Sequence, residues 1–325
     1  MQTIQEDIKN GTFRSVYLLF GQEEYLKRQY RDKLRKALLA EGDVMNYARF
    51  EGKEAQIPAM IDLAETLPFF AAHRLILCEE TGLFKNASQE LADYVPDIPE
   101  TTVFVFVEKE VDKRGKLYKA VKEHGRAVEF TLPDEKMLMR WVLGILKREN
   151  KKISEPVMRL FLEKTGFSME NMDQELEKLI CYMGEREVIG REDVEAVCTE
   201  QTENRIFEMI HRVAEKKQQE ALRLYYDLLA LKEPPMRILY LVGRQFNTLL
   251  QVKSLAAQGL DNNAIAARAG LRSFTIRRYR AEAEKFSTQQ LLGALKDCVQ
   301  TEEDVKTGKM EDRLALELLL VKYSV

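Results

Sequence analysis

The stretch Val16-Tyr17-Leu18-Leu19-Phe20-Gly21-Gln22-Glu23-Glu24 decides the fold of the first part of the chain. Five apolar residues end at Gly21, and a helix-forming segment runs from Glu24 to about residue 40. This order indicates a buried strand, a turn and a helix. Further apolar runs lie at residues 74–78, 102–107 and 128–130, and helical segments are predicted near residues 54–65, 86–95 and 114–124.

Apolar strands that alternate with helices are typical of a parallel sheet covered by helices on both faces. We therefore predict an α/β domain over residues 1–132, with the parallel sheet of the nucleotide-binding folds. Pro133 ends this pattern, and Asp134 can cap the helix that follows it. Strand signals then disappear, so two all-helical domains are predicted over residues 133–203 and 204–325.

The turn after the first strand is where a P-loop enzyme carries G-x-x-x-x-G-K-[ST], whose amides and lysine neutralise phosphates. Gly21 is present and Lys27 lies six residues beyond it, but the second glycine is missing and no Ser or Thr follows the lysine. Glu23 and Glu24 suit the helix dipole but would repel a triphosphate. The turn formed by Gly21, Gln22, Glu23 and Glu24 is therefore not expected to bind a nucleotide.

The cysteines, the histidines and the acidic residues after the second apolar run give no pattern of a reactive site. We therefore predict no catalytic residue, no metal site and no cofactor. None of the four cysteines forms a C-x-x-C pair, and the three histidines fit no ligand spacing. Glu79 and Glu80 resemble the acidic pair of a Walker B site, but without a phosphate loop a solvated rim is the favoured interpretation. The sequence begins without a signal-peptide pattern and contains no run of ~18 apolar residues, so we expect a cytoplasmic protein without a membrane segment.

A first candidate binding segment is Leu67-Pro68-Phe69-Phe70, just before the second apolar strand. Pro68 ends the preceding helix and places two adjacent phenylalanines on a turn. Adjacent residues of a strand face opposite sides, so at least one ring can be exposed, and exposed aromatic pairs are typical interface anchors. The alternative is that both rings pack beneath the edge of the sheet.

A second candidate segment is residues 262–280, which contains five arginines and no acidic residue. It lies in a locally basic region, because residues 205–325 hold 20 Lys and Arg against 15 Asp and Glu, although the whole chain has a net charge of −3. An A-x-x-x-G-L turn between two short helices resembles a helix-turn-helix. Three interpretations stay open: a sequence-specific DNA reader, a basic face that contacts phosphates, and a solvated helix pair.

Several stretches together resemble the delta subunits of the bacterial DNA polymerase III clamp loader, in their Gram-positive form. Each stretch is a weak signal alone, but their common order and spacing extend over nearly the whole chain. The stretches are Tyr17–Leu26, Leu67–Phe70, Arg74–Leu77, Asp173–Leu179 and Lys306–Gly308.

The resemblance implies a degenerate ATPase-like first domain of the AAA+ type, a helical lid over residues 133–203 and a helical collar over residues 204–325. It also implies a non-catalytic subunit of the polymerase holoenzyme, which binds and helps open the beta sliding clamp during replication without hydrolysing ATP. Leu67, Phe69 and Phe70 match the clamp-contacting positions, and Phe69-Phe70 replaces a Leu-Phe pair seen elsewhere in the family. The implied partners are the clamp, the motor subunits and delta-prime in a hetero-pentamer, and primed DNA, toward which Arg272, Arg277, Arg278 and Arg280 can face.

Two alternatives from other functional classes remain. An active P-loop ATPase would bind nucleotide through the turn at Gly21, and the missing Gly-Lys-Thr pattern argues against it. A helix-turn-helix regulator would bind one DNA sequence through residues 262–280. The modest positive charge of the C-terminal region and the long α/β portion make this second alternative less economical.

Overall fold

The computed structural model describes residues 2–52, 55–85 and 88–324 of the chain. The chain divides into two compact units, Met1–Leu132 and Pro133–Val325. The first unit contains one parallel sheet of five strands and the helices that connect them. Its strands are β1 Val16–Phe20, β2 Tyr47–Glu51, β3 Arg74–Glu79, β4 Thr102–Glu108 and β5 Arg126–Glu129, and its helices are α1 Gln2–Asn10, α2 Glu24–Leu38, α3 Ile57–Ala64, α4 Gln89–Tyr94 and α5 Lys116–His124.

The strands of the first unit lie in the order β2-β3-β4-β1-β5, and every pairing is parallel. All residues of β1, β3 and β4 are buried, because these central strands are covered on both faces. Leu18 of β1, for example, pairs with Phe106 on one side and Ala127 on the other. The predicted α/β class of this part of the chain is confirmed.

The edge strand β2 was not predicted from the sequence. Its residues Tyr-Ala-Arg-Phe-Glu form no apolar run, and none of them is fully buried. An edge strand has a neighbour on one side only, so it lacks the continuous apolar pattern that marked the central strands. The predicted helix starts at residues 54 and 86 lie outside the described residues.

The second unit is built almost entirely of helices, and this prediction is also confirmed. One correction concerns strands: β6 Lys152–Ile153 and β7 Val188–Ile189 form a short parallel pair where none was expected. Two residues per strand are too few to give a sequence pattern. The helices are α6 Glu135–Arg148, α7 Glu155–Thr165, α8 Met169–Met183, α9 Arg191–Val197, α10 Thr202–Ala214, α11 Gln218–Ala230, α12 Pro235–Ala257, α13 Asn262–Ala269, α14 Ile276–Glu284, α15 Thr288–Lys306 and α16 Asp312–Tyr323.

The helix cap predicted at Asp134 is present in this unit, and a second cap lies at Ser287. The Asp134 carboxylate accepts a hydrogen bond from the Met137 amide at 2.7 Å, at the start of α6. Ser287 and Gln290 form a reciprocal capping box at the start of α15. The main apolar core of the unit lies among α10, α11, α12, α15 and α16. In the part of the chain that the structure describes, no helix is both long and apolar enough to cross a membrane.

Candidate binding site

The loop between α3 and β3 presents three large apolar side chains to solvent. Leu67 is 81% exposed, Phe69 is 56% exposed and Phe70 is 96% exposed. The two phenyl rings meet edge to face, with centroids 4.7 Å apart. Neither ring is packed beneath the edge of the sheet, which was the alternative left open by the sequence. We call Leu67–Phe70 the tip.

The backbone of the tip is held in an uncommon conformation. Phe70 has a φ of 49°, in the left-handed region that non-glycine residues rarely occupy. For a bulky residue this conformation costs roughly 1–2 kcal/mol. Such a residue persists only where the surrounding structure fixes it, and strained residues concentrate at binding sites.

Asn46, at the start of β2, fixes the tip through its side chain. Its Oδ1 accepts a hydrogen bond from the Phe69 amide at 2.6 Å, and its Nδ2 donates to the Phe69 carbonyl at 2.9 Å. Asn46 is 1% exposed, and its own carbonyl accepts from the Leu75 amide at 2.8 Å, so its backbone is tied to β3. A second hydrogen bond, from Arg74 Nη2 to the Leu67 carbonyl at 3.0 Å, holds the other end of the tip.

Asp43 orients Asn46 in turn. One carboxylate oxygen accepts from the amides of Met45 and Asn46 at 3.0 Å each, and the other accepts from Asn46 Nδ2 at 2.8 Å. These hydrogen bonds, above all the one from the Asn46 side chain, lower the pKa of Asp43 below its ordinary value. Sequence reasoning missed both residues, and the only local signal for them was the turn-forming series Gly42, Asp43 and Asn46.

The turn after β1 uses its backbone amides within the chain. The Gly21 amide donates to the Glu108 carbonyl at 3.2 Å, and the Glu23 amide donates to the Phe130 carbonyl at 3.0 Å. Gly21 has a φ of 118°, and a Cβ at this position would lie 2.4 Å from the Phe130 carbonyl oxygen. Both amides are therefore engaged within the chain, whereas a phosphate loop presents free N–H groups.

Lys27 stands where a phosphate-binding lysine would stand in sequence, but it is also engaged within the chain. Its side chain is fully buried, and Nζ donates to Glu24 Oε1 at 3.0 Å and to the Glu108 carbonyl at 3.1 Å. The Glu24 carboxylate thus takes the place of an anionic ligand beside the ammonium group.

Gln22 lines a cavity of about 340 Å³ beside the turn. Lys113 and Glu129 also line this cavity, and they form an ion pair with each other at 2.6 Å. The lining holds two lysines, Lys109 and Lys113, and two glutamates, Glu110 and Glu129, so it carries no excess of positive charge that would attract a triphosphate.

The acidic residue that ends β3 is held by arginines. Glu79 accepts from Arg31 Nη1 at 2.7 Å and from Arg49 Nε at 2.6 Å, so both of its oxygens are engaged. Glu80 follows with a φ of 49°. The Glu79 carboxylate therefore stabilises the contact of α2 and β2 with β3. The solvated rim expected from the sequence is correct for Glu80, which is exposed, and wrong for Glu79, which is buried because two arginines cover its carboxylate.

The arginines of residues 262–280 differ in their surroundings. Arg272 Nη1 donates to the Pro133 carbonyl at 2.9 Å, and Arg280 Nη1 donates to Asn262 Oδ1 at 3.1 Å. The Arg278 guanidinium lies over the Phe207 ring, 3.6 Å from its centroid.

Arg277 is exposed and makes no hydrogen bond or ion pair with any residue that the structure describes. Gly270, in the left-handed conformation, ends α13, and α14 buries Ile276 and Ala283 against the unit. The two short helices therefore belong to the helical unit, and the four arginines do not form one continuous free surface.

These observations define a class of protein: an α/β domain with a five-stranded parallel sheet, which exposes an apolar tip fixed by hydrogen bonds and is followed in the chain by a helical unit. Residues 17–131 match the family model of the DNA polymerase III delta subunit, and residues 203–323 match the model of its C-terminal domain. The chain belongs to the family of delta subunits of the DNA polymerase III clamp loader.

Individual relatives give the same result. The chain is 30% identical to the DNA polymerase III subunit delta of Bacillus subtilis, over 98% of this chain and 95% of the relative. It is 22% identical to a probable DNA polymerase III subunit delta of Aquifex aeolicus, over 79% and 76% of the two chains. The solved structure of the Bacillus subtilis DNA clamp loader delta protein superposes with a TM-score of 0.82 at 27% identity, and the match covers 99% of each chain.

The match of residues 203–323 to the delta C-terminal domain bears on the helix-turn-helix alternative, because residues 262–280 lie inside that domain. The comparisons give no support to a sequence-specific regulator. Membership of the family makes the chain a component of the clamp loader of the polymerase complex.

Proposed function

We propose that the chain binds the beta sliding clamp through Leu67, Phe69 and Phe70 and helps open the ring for loading onto primed DNA. The observation that carries this proposal is the exposure of the three apolar side chains on a backbone that Asn46 and Arg74 fix. An exposed aromatic pair on a rigid support loses little conformational entropy when it enters a pocket.

The energetic contribution of the tip is sufficient to affect a marginal ring interface. Burying two aromatic side chains contributes roughly 3–6 kcal/mol before the costs of association are subtracted. A ligand shifts a conformational equilibrium only by the difference between its affinities for the two states. The tip opens the clamp, in this proposal, because its pocket accommodates the rings better in the open state.

We also propose that the chain does not hydrolyse ATP. The turn amides of Gly21 and Glu23 and the ammonium group of Lys27 are all hydrogen-bonded within the chain. ATP binding by motor subunits, with which this chain and delta-prime assemble in a hetero-pentamer, then controls access to the tip. Residues 133–203 act as the lid and residues 204–325 as the collar in that assembly, which is cytoplasmic.

A contact with primed DNA is part of the same proposal, and Arg277 is its strongest candidate. Arg272, Arg278 and Arg280 each have a partner within the chain, whereas Arg277 projects into solvent. An exposed arginine that contacts a phosphate contributes to affinity without sequence preference.

The decisive experiment measures the affinity of the full chain for the sliding clamp of the same organism. The double variant Phe69→Ala/Phe70→Ala is expected to bind at least roughly 30-fold more weakly, with an unchanged circular dichroism spectrum. Tyr240→Ala serves as the matched control, because Tyr240 is an exposed aromatic residue in the other unit. Absence of binding by the native chain would overturn the function, and equal binding by the double variant would overturn the site.

Calorimetry with ATP and magnesium tests the second part of the proposal. We expect no heat of binding from the full chain at micromolar nucleotide. Micromolar affinity would show that the turn at Gly21 rearranges to accept phosphates and would restore the ATPase alternative.

A further inference from the structure

The loop that precedes β2 exposes two more apolar side chains. Val44 is 72% exposed and Met45 is 62% exposed. The loop is ordered by hydrogen bonds, because the Asp43 carboxylate accepts from the Met45 and Asn46 amides. This turn keeps Val44 and Met45 outside the apolar core of the sheet, so their exposure is a property of an ordered segment.

This loop and the tip lie side by side at one edge of the sheet. Asn46 connects them, since its side chain contacts Asp43 in the loop and both backbone groups of Phe69 in the tip. Met45 is the residue before Asn46, and the Cα atoms of the two residues are about 3.8 Å apart. Five exposed apolar side chains therefore stand on two adjoining segments: Val44, Met45, Leu67, Phe69 and Phe70.

We propose that Val44 and Met45 form a second anchor for the sliding clamp, so that the clamp-binding surface has two parts. This inference rests on the proposed function of the tip. The small area of the tip supports a second part of the surface. A stable protein interface covers about 800 Å² per partner, which is more than three side chains can supply. A partner that encloses Phe69 must therefore cover its neighbours, and the loop beside the tip is apolar.

The two parts have different chemistry. The tip presents two aromatic rings on a strained, doubly braced backbone, which suits insertion into a preformed pocket. The loop presents a small branched side chain and a flexible thioether, which suits packing on an uneven apolar rim. The partner surface that matches both parts is therefore a pocket large enough for an aromatic ring, which receives the tip, with an apolar area beside it for Val44 and Met45.

The test compares the full chain with the double variant Val44→Ser/Met45→Ser in binding to the purified clamp. We expect the variant to bind on the order of tenfold more weakly, mainly through faster dissociation. Val299→Ser is the matched control, because Val299 is 67% exposed on α15 in the other unit. Thermal unfolding of all three chains should agree closely, since exposed substitutions change stability little.

The outcomes separate this inference from the proposed function. Loss of binding by Phe69→Ala/Phe70→Ala together with unchanged binding by the loop variant would overturn the second anchor and leave the tip intact. Normal clamp binding by the loop variant with failed assembly with the motor subunits would also overturn it, since the loop would then serve another partner. A native chain that does not bind the clamp would overturn both.

Discussion

The side chain of Asn46 pairs with the backbone of Phe69 as a neighbouring strand would, accepting from its amide at 2.6 Å and donating to its carbonyl at 2.9 Å. A buried amide thereby fixes a segment that exposes two aromatic rings. The sheet does not need this side-chain pairing, because the register of β2 with β3 begins one residue later, at Tyr47. Its main consequence is the position of the tip.

Asn46→Ala is expected to weaken clamp binding although the tip side chains are unchanged. Two hydrogen bonds to Phe69 are lost, so the free chain no longer holds the tip in one conformation. Binding to the clamp must then also order the tip, which lowers the affinity. The expected loss is about 1–3 kcal/mol, or roughly 5- to 150-fold in the dissociation constant. Titration of the full chain with the clamp measures it, and the thermal unfolding midpoint serves as the stability control.

A double-mutant cycle distinguishes positioning from general destabilisation. If Asn46 acts through the tip, Asn46→Ala adds little to the loss already caused by Phe69→Ala/Phe70→Ala. Additive losses would mean that Asn46 affects clamp binding by a route other than the tip.

Phe70→Gly is expected to raise stability and to weaken binding at the same time. Glycine adopts a φ of 49° without the cost that phenylalanine incurs, and the Phe70 ring is 96% exposed, with an edge-to-face contact to Phe69. The expected gain is about 1 kcal/mol, visible as a higher midpoint of thermal unfolding. A lower midpoint would show that the Phe70 ring stabilises the free chain through its contact with Phe69.

Gly21→Ala is expected to destabilise the first unit strongly. The new Cβ would lie 2.4 Å from the Phe130 carbonyl oxygen, which is backbone and cannot move without disturbing β5. The matched control is Gly144→Ala in α6, where a Cβ meets no atom within 4 Å and alanine favours the helix by about 1 kcal/mol. Differential scanning calorimetry should show opposite shifts, and equal shifts would contradict the assigned geometry.

Asp43 should contribute a pH-dependent stability to the loop beside the tip. Its pKa is lowered chiefly by the Asn46 side chain, so the folded chain favours the carboxylate. The contribution is complete above the ordinary aspartate pKa of about 3.9 and is lost as the pH falls through the lowered value. We expect the difference in unfolding midpoint between the native chain and Asp43→Asn to be constant from pH 8 to about 5 and to shrink in more acidic buffer. A difference that grows on acidification would contradict this sign.

Residues close together in sequence determined much of what could be predicted. The apolar runs of β1, β3 and β4, the glycine that ends β1 and the cap at Asp134 are local signals, because burial on both faces and helix capping each impose a residue type at a fixed position. The incomplete phosphate-binding motif that begins at Gly21 is likewise a local signal, because its residues lie within a few positions of each other in the sequence. The adjacent phenylalanines already indicated that at least one ring could be exposed.

Tertiary structure decided what depends on residues far apart in the chain. Asn46 and Phe69 are separated by 23 positions, and the lysine at position 27 meets the carbonyl of Glu108 only after the sheet has formed. Edge strand β2 lacks a sequence pattern because only one side of it is paired, yet it positions Asn46. The sequence alone therefore determined which residues could bind, and the packing of distant segments decided which of them are fixed in place and exposed.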